Sequence, residues 1–194
     1  MKGYNINRIG LFVDVSNLYY CILKRFNNRK LDYAKYMAAV KGKNNVYRAF
    51  AYGAQLDNEA DLFINRLQEF GYFPKYKKPK QFENPEYRID FGPLEKVAAQ
   101  DREAQKTLTM IQGIFHSKRD TRKADWDVGM AIDIVKLANR LDVVVIGSAD
   151  SDLAPVVEWV QYHGCQCIVF ACNISKEMRD VADVAIEINE SLLD

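Results

Sequence analysis

The sequence predicts an α/β fold, a single three-layer domain around a mainly parallel sheet, with a partly helical insertion. Short apolar runs alternate along the chain with stretches of helical periodicity, which is typical of repeated βαβ units. Residues 9–13 and 143–147 are apolar throughout, as expected for parallel strands that are buried on both faces. Carboxylates follow each of these two runs, which indicates a polar site at the carboxyl ends of the strands.

The predicted elements follow this alternation in order. The strands are apolar runs rich in β-branched and aromatic residues, and the helices are the segments between them with apolar residues three or four positions apart. We expect strands at residues 9–14, 46–53, 72–77, 143–147, 166–171 and 184–188. We expect helices at residues 16–27, 33–41, 58–70, 127–141, 152–163 and 175–182.

Two of the predicted helices have clear end signals. In the helix at 58–70 an apolar stripe is followed by Gly71, a residue that commonly ends helices. The helix at 152–163 has Pro155 in its first turn, where proline removes no intrahelical hydrogen bond, and it is followed by Gly164. Asp152 is a candidate N-cap of that helix.

The region at about 78–123 departs from the alternation. It opens with a segment rich in proline and charge, and it contains one long helix candidate at about 93–115. A connection of this length is unusual inside a compact domain and is often functional. We interpret it as an insertion into a single domain that spans residues 1–194, and we expect it to border the acidic site.

Composition excludes several classes of protein. The 27 basic and 26 acidic residues give a net charge of +1, so any nucleic-acid-binding surface must be local. No apolar run approaches the roughly 20 residues that a membrane-spanning helix needs. The first residues lack the apolar stretch of a secretory signal, so we expect a cytoplasmic location and no membrane partner.

The four cysteines predict buried thiols rather than a zinc site. Cys165 and Cys167 lie two apart in a predicted strand, so their side chains share a face and are poorly placed to bridge each other. A zinc site would need a second close pair, and only Cys172 is near. We therefore expect reduced cysteines in the core.

Acidic residues are the main candidates for chemistry. Asp14 and Asp150 directly follow predicted strands, and Asp127 begins a predicted helix. Asp133 lies on that same helix but about 120° around its axis from Asp127, so we expect it to support the site or to form buried hydrogen bonds. The remaining polar neighbours of the site are Asp152, Asn17 and Ser148. For Asp127 and Asp152 the alternative is a helix-capping role.

Clustered carboxylates at one sheet edge repel one another unless a cation lies between them. Oxygen ligands of this kind suit Mg²⁺ or Mn²⁺. His116 and His163 are the only histidines, so no histidine pair competes for this role, and no serine nucleophile is apparent. The helix N-termini near residues 15–17 and 151–153 also direct backbone donors towards the same crevice, which would suit a phosphate.

Two basic clusters flank the insertion and are candidate contacts for a nucleic-acid backbone. The first comprises Lys75, Lys77, Lys78 and Lys80, interleaved with Tyr76, and the second comprises Lys118, Arg119, Arg122 and Lys123. The alternative for each cluster is a solvated charged surface. Lysines next to an aromatic residue and a carboxylate site suit single-stranded nucleic acid better than a small substrate.

Three ordered segments together resemble the NYN domains, in their LabA-like branch, which are similar to PIN-domain ribonucleases. Residues 9–18 resemble the opening strand of that family. Residues 123–133 resemble its second motif, a Lys followed by an Asp-Val pair and a later Asp, and residues 145–153 resemble the third, Ser-x-Asp-x-Asp after a strand. The C-terminal segment fits through Gly164, Ser175, Arg179 and Asp183.

The resemblance implies a PIN-like, Rossmannoid fold and a metal-dependent nuclease that acts on RNA. Carried over by position, the catalytic residues would be Asp14, Asp127, Asp150 and Asp152. Asp14, Asp127 and Asp150 would hold one or two Mg²⁺ or Mn²⁺ ions, and Asn17 would orient Asp14 or a metal-bound water.

Other readings of the sequence remain open. The same acids would keep a metal ion and an RNA phosphate bound in a regulatory module with weak catalysis or none. A small-molecule phosphohydrolase would need a nucleophilic Asp with a second acid two residues on. Asp14 lacks that partner, and Asp150 with Asp152 has the spacing but follows a late strand. The oligomeric state also stays open, with a homo-oligomer among the alternatives.

Overall fold

A computed structural model describes residues 7–54, 59–77, 80–81, 95–96, 99, 105, 122–123 and 126–194. The chain divides into two compact units, one formed by Met1–Lys78 with Asp125–Asp194 and the other by Pro79–Ala124. In the second unit, strands Lys80–Gln81 and Arg122–Lys123 pair antiparallel. Most of the helix predicted at 93–115 lies outside the described residues, and the single-domain organisation stays a prediction.

The described strands and helices alternate as predicted. The strands are β1 Arg8–Asp14, β2 Asn45–Ala54, β3 Phe73–Lys77, β4 Lys80–Gln81, β5 Arg122–Lys123, β6 Val143–Gly147, β7 Gln166–Ala171 and β8 Val184–Glu187. The helices are α1 Val15–Arg25, α2 Tyr33–Lys41, α3 Glu59–Glu69, α4 Asp127–Ala138, α5 Ala154–Tyr162 and α6 Lys176–Val181. A 3₁₀ turn at Ser151–Leu153 precedes α5. Among the described residues, none of these helices has the length and apolarity that crossing a bilayer would take.

The first unit is built on a six-stranded sheet with the order β3-β2-β1-β6-β7-β8. All neighbouring strands in it are parallel. The chain moves outward from β1 to β3, then returns and continues from β6 to β8 on the other side. Because parallel crossovers are right-handed, this reversal puts the helices of the two halves on opposite faces of the sheet. The prediction of a three-layer α/β fold is confirmed.

The reversal of strand order lies between β1 and β6, which pair directly. In an open α/β sheet, a crevice forms outside the carboxyl ends of the strands at such a point. Val13, the next-to-last residue of β1, is opposite Gly147, the last residue of β6. The residues that follow these two strands therefore emerge side by side.

Gly147 permits close packing immediately below this crevice. A Cβ at this position would lie 2.9 Å from the hydroxyl oxygen of Tyr36 on α2. The Tyr36 hydroxyl is buried and donates a hydrogen bond of 2.5 Å to the carbonyl oxygen of Phe170 on β7. Glycine at the end of β6 thus allows α2 to lie directly against the sheet.

An ion pair joins the amino ends of β1 and β6. The backbone N–H and the guanidinium of Arg8 both donate to the carboxylate of Asp142, at 2.7 Å and 2.9 Å. The hydrogen bonds from Arg8 lower the pKa of Asp142 to about 2. The two central strands are therefore fixed to each other at the edge opposite the crevice.

All four cysteines are free thiols, and Cys165, Cys167 and Cys172 are buried. The Cys165 thiol donates to the carbonyl oxygens of Ala138 and Leu141. Burial raises the pKa values of Cys167 and Cys172 to about 12. The prediction of reduced, buried cysteines is confirmed for these three, whereas Cys21 is partly exposed.

Candidate metal centre

The turn from β1 into α1 is held by its own side chains. Asp14, the last residue of β1, accepts a hydrogen bond of 2.9 Å from the backbone N–H of Asn17 and so caps α1. The side-chain oxygen of Asn17 in turn accepts from the backbone N–H of Ala149 at 3.1 Å. Asn17 therefore links the β1–α1 turn to the loop after β6.

The loop after β6 is organised by Ser148 and Asp150. Ser148 is fully buried, and its hydroxyl oxygen accepts from the backbone N–H of Asp150 at 3.3 Å. Asp150 then accepts from the backbone N–H of Asp152 at 3.1 Å and caps the 3₁₀ turn. The prediction of Asp152 as N-cap is wrong, because the residue before α5 is Leu153, which has no capping side chain.

These local hydrogen bonds change one expectation about the crevice. The backbone N–H groups of Asn17, Ala149 and Asp152 already donate to protein side chains. These three groups are therefore not open donors for a phosphate. A cation or a basic side chain would be a stronger partner for a phosphate at this edge.

Asp127 is the first residue of α4, and Trp126 precedes it as the N-cap without a capping side-chain hydrogen bond. The indole N–H of Trp126 donates to the carbonyl oxygen of Gly53 at 2.8 Å. The indole also packs beside Gly129, where a Cβ would lie 2.9 Å from ring atom Cε3. Trp126 thus fixes the start of α4, and with it the position of Asp127.

Three carboxylates converge at this edge. Asp127, Asp150 and Asp152 each offer an oxygen, and these atoms all lie within 4.8 Å of one another. Asp127 and Asp150 are partly buried, whereas Asp152 is exposed. Carboxylates this close repel one another, and a bound cation would relieve that repulsion. A donor set made only of carboxylate oxygens fits the hard divalent ions Mg²⁺ and Mn²⁺.

The predicted site residues are therefore only partly brought together. Asp127 and Asp150 lie in the group as expected, and Asp152 joins them, but Asp14 is not a member of it. Asp14 lies at the same edge of the sheet, where it is the N-cap of α1. Its predicted role as a metal ligand stays a prediction.

Asp133 points into a separate polar contact between α4 and the sheet. Its carboxylate accepts from the Tyr52 hydroxyl at 2.8 Å and from the Lys75 ammonium at 2.5 Å. Burial and the bond to Asp133 raise the pKa of Tyr52. The ammonium of Lys75 also lies 4.9 Å from the ring centre of Phe50. Lys75, a predicted nucleic-acid contact, is thus engaged inside the first unit by contacts that anchor α4 to β2 and β3.

The other basic candidates fall into three groups. Lys77 is exposed, with its ammonium 3.9 Å from the centre of the Trp126 ring. Lys80, Arg122 and Lys123 lie in the two-stranded sheet of the second unit. Lys78, Lys118 and Arg119 lie outside the described residues. Contact of these residues with nucleic acid stays a prediction.

The C-terminal residues of the family resemblance have structural partners. Ser175 caps α6, and Asp183 accepts from the backbone N–H of Cys167 at 2.7 Å. Arg179 pairs with Glu187 at the end of β8. Backbone hydrogen bonds from Asn173 and Ile174, together with the nearby arginines, outweigh desolvation and lower the pKa of Glu187. These residues hold the last βα unit in place rather than contributing to the carboxylate group.

Sequence reasoning missed Trp126. The sequence held a signal for it, because Trp126 is a large aromatic residue directly before the candidate metal ligand Asp127 and after a mainly charged segment. The pairing of Lys75 with Asp133 had no such signal, since the two residues lie 58 positions apart.

Comparison with known proteins identifies the family. The NYN domain matches residues 8–189. The crystal structure of a protein of unknown function from Vibrio parahaemolyticus is similar, with a TM-score of 0.75 and 22% identity over 100% of both chains. That similarity supports the fold alone. No protein of curated function matches. Since the family match covers nearly the whole chain, this protein belongs to the NYN domain family.

Proposed function

We propose that this protein is a metal-dependent nuclease of the LabA-like branch that hydrolyses phosphodiester bonds in single-stranded RNA. The observation that carries the proposal is the group of Asp127, Asp150 and Asp152, whose oxygens lie within 4.8 Å of one another. Membership of the NYN domain family, which suggests a PIN-like nuclease, supports hydrolysis of a phosphodiester as the reaction.

The three carboxylates would hold Mg²⁺ or Mn²⁺. When bound, such an ion lowers the pKa of a coordinated water and neutralises charge on the phosphate. The protein itself fixes the positions of the carboxylates. Asp150 is held by its bond to the backbone of Asp152, and Asp127 is held by the contacts of Trp126. Asp152 is the exposed member and faces solvent, from which a substrate would arrive.

RNA is the proposed substrate, and the cytoplasm is the proposed location. The charges near the carboxylate group support an anionic polymer, because Lys77 is exposed and lies against the residue that precedes Asp127. Three backbone donors of the crevice, those of Asn17, Ala149 and Asp152, are already used by side chains, so a lysine and the metal ion would be important partners for the phosphates.

The second candidate is an RNA-binding module that keeps the metal site but cleaves weakly or not at all. One observation favours it. Asp14, the fourth expected acid, lies outside the carboxylate group and already accepts a hydrogen bond as a helix cap. A group of three carboxylates could bind one ion and one phosphate without providing the full set of acids that the family resemblance implies.

The deciding experiment is cleavage of end-labelled single-stranded RNA by the purified protein with Mn²⁺ and with chelator. Wild type should cleave only with the metal ion, and Asp150→Asn should reduce the rate by orders of magnitude. Asp180→Asn, which changes an exposed acid on α6, is the matched control and should retain full activity.

Parallel reactions with duplex DNA and with a generic phosphomonoester distinguish the other substrate classes. Equal cleavage by wild type and Asp150→Asn would indicate a contaminating nuclease and would favour the binding module. Turnover of the phosphomonoester without RNA cleavage would favour a phosphohydrolase.

A further inference from the structure

Trp126 is rigidly held beside the carboxylate group and yet partly exposed. Its indole N–H is bonded to Gly53, and its ring lies 5.4 Å from that of Tyr52, measured between centroids. The lack of a side chain at Gly129 leaves the space in which the indole lies. An aromatic ring that is already fixed in place loses little conformational freedom when a ligand stacks on it.

The position of this ring relative to the acids is set by the chain itself. Trp126 immediately precedes Asp127, so the indole and one member of the carboxylate group are on neighbouring residues. A base that stacks on the indole would therefore place its own backbone next to the carboxylates. Stacking on aromatic side chains is the usual way in which proteins bind single strands without reading their sequence.

Lys77 covers part of this ring. Its ammonium lies 3.9 Å from the ring centre, although the lysine side chain as a whole is exposed. An exposed cation–π contact is weaker than the stacking of a base on an aromatic ring. A base that stacks on the indole would take the place of the ammonium, and a positive charge this near the ring would be placed to pair with the phosphate of the same nucleotide.

We propose that Trp126 and Lys77 form a nucleotide-binding site for single strands, in which an unpaired base stacks on the indole and its phosphate pairs with the lysine. Bases in a duplex are covered on both faces by their neighbours, so this site selects single strands. The inference rests on the proposed function for the polymer that is bound, but it assigns a binding role that does not depend on cleavage.

The test uses Trp126 as its own reporter. Replacing the second tryptophan, Trp159, by Phe leaves Trp126 as the sole indole. In that background, with chelator present to prevent cleavage, a short oligouridine should quench the fluorescence on titration. The same strand with abasic sites should bind more weakly and without quenching, and a duplex should not quench. Binding of the oligouridine without quenching, or no binding at all, would overturn the inference.

Two variants separate stacking from a structural role. Trp126→Leu should weaken oligouridine binding by about 5- to 150-fold, the range for loss of one stacked base, and Trp126→Phe should bind within a few-fold of wild type. Because the indole N–H also holds the start of α4, affinity for Mn²⁺ should fall alike in both variants, whereas oligouridine binding, measured with chelator, should fall only in Trp126→Leu. If both variants lose RNA binding and Mn²⁺ binding together, Trp126 is a structural residue only and the inference fails.

Lys77→Met should reduce the salt dependence of binding by about one counterion, whereas Lys136→Met, an exposed lysine in the last turn of α4, should not. An unchanged salt dependence in Lys77→Met would show that the lysine does not belong to the site.

The inference and the proposed function can fail separately. Quenching without Mn²⁺-dependent cleavage would support the nucleotide-binding site and contradict the nuclease activity. Cleavage without quenching would support the nuclease activity and contradict the nucleotide-binding site.

Discussion

At the scale of single residues, the same side-chain type has different tasks according to the element that carries it. Asp14 ends β1 and Asp150 lies three residues after the end of β6, and both accept a hydrogen bond from the backbone of the turn that follows. Only Asp150 also belongs to the carboxylate group. On α4, Asp127 joins that group, whereas Asp133 pairs with Lys75 and Tyr52.

Asp133→Asn should affect stability more than metal binding. The change removes the charge that balances the Lys75 ammonium, a group whose side chain is 35% exposed and so still reached by solvent. We expect a loss of about 1–3 kcal/mol in the free energy of unfolding, measured by urea denaturation, with Mn²⁺ affinity little changed. Lys75→Met provides the second single variant of a double-mutant cycle.

The double variant should lose less stability than the two single variants added together, because the contact can be lost only once. A large drop in Mn²⁺ affinity for Asp133→Asn would mean that this residue acts on the metal site after all.

At the scale of secondary-structure elements, the ion pair between Arg8 and Asp142 joins the starts of β1 and β6 and gives a pH-dependent contribution to stability. The pKa of Asp142 falls from its ordinary value of 3.8 to about 2 in the folded protein. The stabilisation is therefore complete above the ordinary pKa and is lost as the pH falls towards about 2.

Asp142→Asn should thus lower the melting temperature at neutral pH, and the difference from wild type should shrink as the solution becomes acidic below about pH 5. The effect should be small, because both side chains are exposed to solvent. Melting curves across the pH range check this, with Asp180→Asn as the control. A difference that stays constant down to pH 3 would show that the ion pair is not its source.

The elements were more predictable from sequence than their contacts. The predicted strand limits at 143–147 and 166–171 coincide with β6 and β7. β6 is buried and apolar along its whole length, and β7 is apolar after its exposed first residue, Gln166. The prediction of Asp152 as N-cap is wrong because a 3₁₀ turn at Ser151–Leu153 lies between the loop and α5. Asp150 caps that turn, and Asp152 lies inside it.

For Lys75 and Lys77 the sequence predicts which face of the sheet they share but not the residues that they contact. They lie two apart in β3, so the strand period puts both side chains on one face of the sheet. The sequence could not predict that α4 would offer Asp133 to the first lysine and Trp126 to the second. These contacts depend on tertiary packing, and they separate a structural lysine from one that is exposed beside the carboxylate group.

At the scale of the whole molecule, the strand order decides where the site lies. The order reverses between β1 and β6, and the carboxylate group lies in the loop after β6 and at the start of α4. The chain brings these segments together because α4 leads into β6, which pairs with β1. The sequence predicted the site at the carboxyl ends of the strands, but the exact members of the group required the folded topology.

The reactivity of the cysteine thiols measures how well the core of the protein is packed. Burial raises the pKa values of Cys167 and Cys172 to about 12, so their reactive thiolate forms are scarce at neutral pH. In the native protein an aromatic disulfide reagent should react quickly with at most one thiol, the partly exposed Cys21, and with all four after unfolding in urea. Cys21→Ser should abolish the fast phase. Rapid native reaction of several thiols would contradict the core packing.

We propose that Asp127, Asp150 and Asp152 together hold a divalent ion, and calorimetric titration with Mn²⁺ is the decisive measurement. Wild type should bind Mn²⁺ saturably. Changes in residues that merely support metal ligands cost about 10- to 100-fold in affinity, so Asp150→Asn should lose at least that much. Asp180→Asn should bind as wild type does. Equal Mn²⁺ affinity in wild type and Asp150→Asn would mean that this group of carboxylates does not hold the ion.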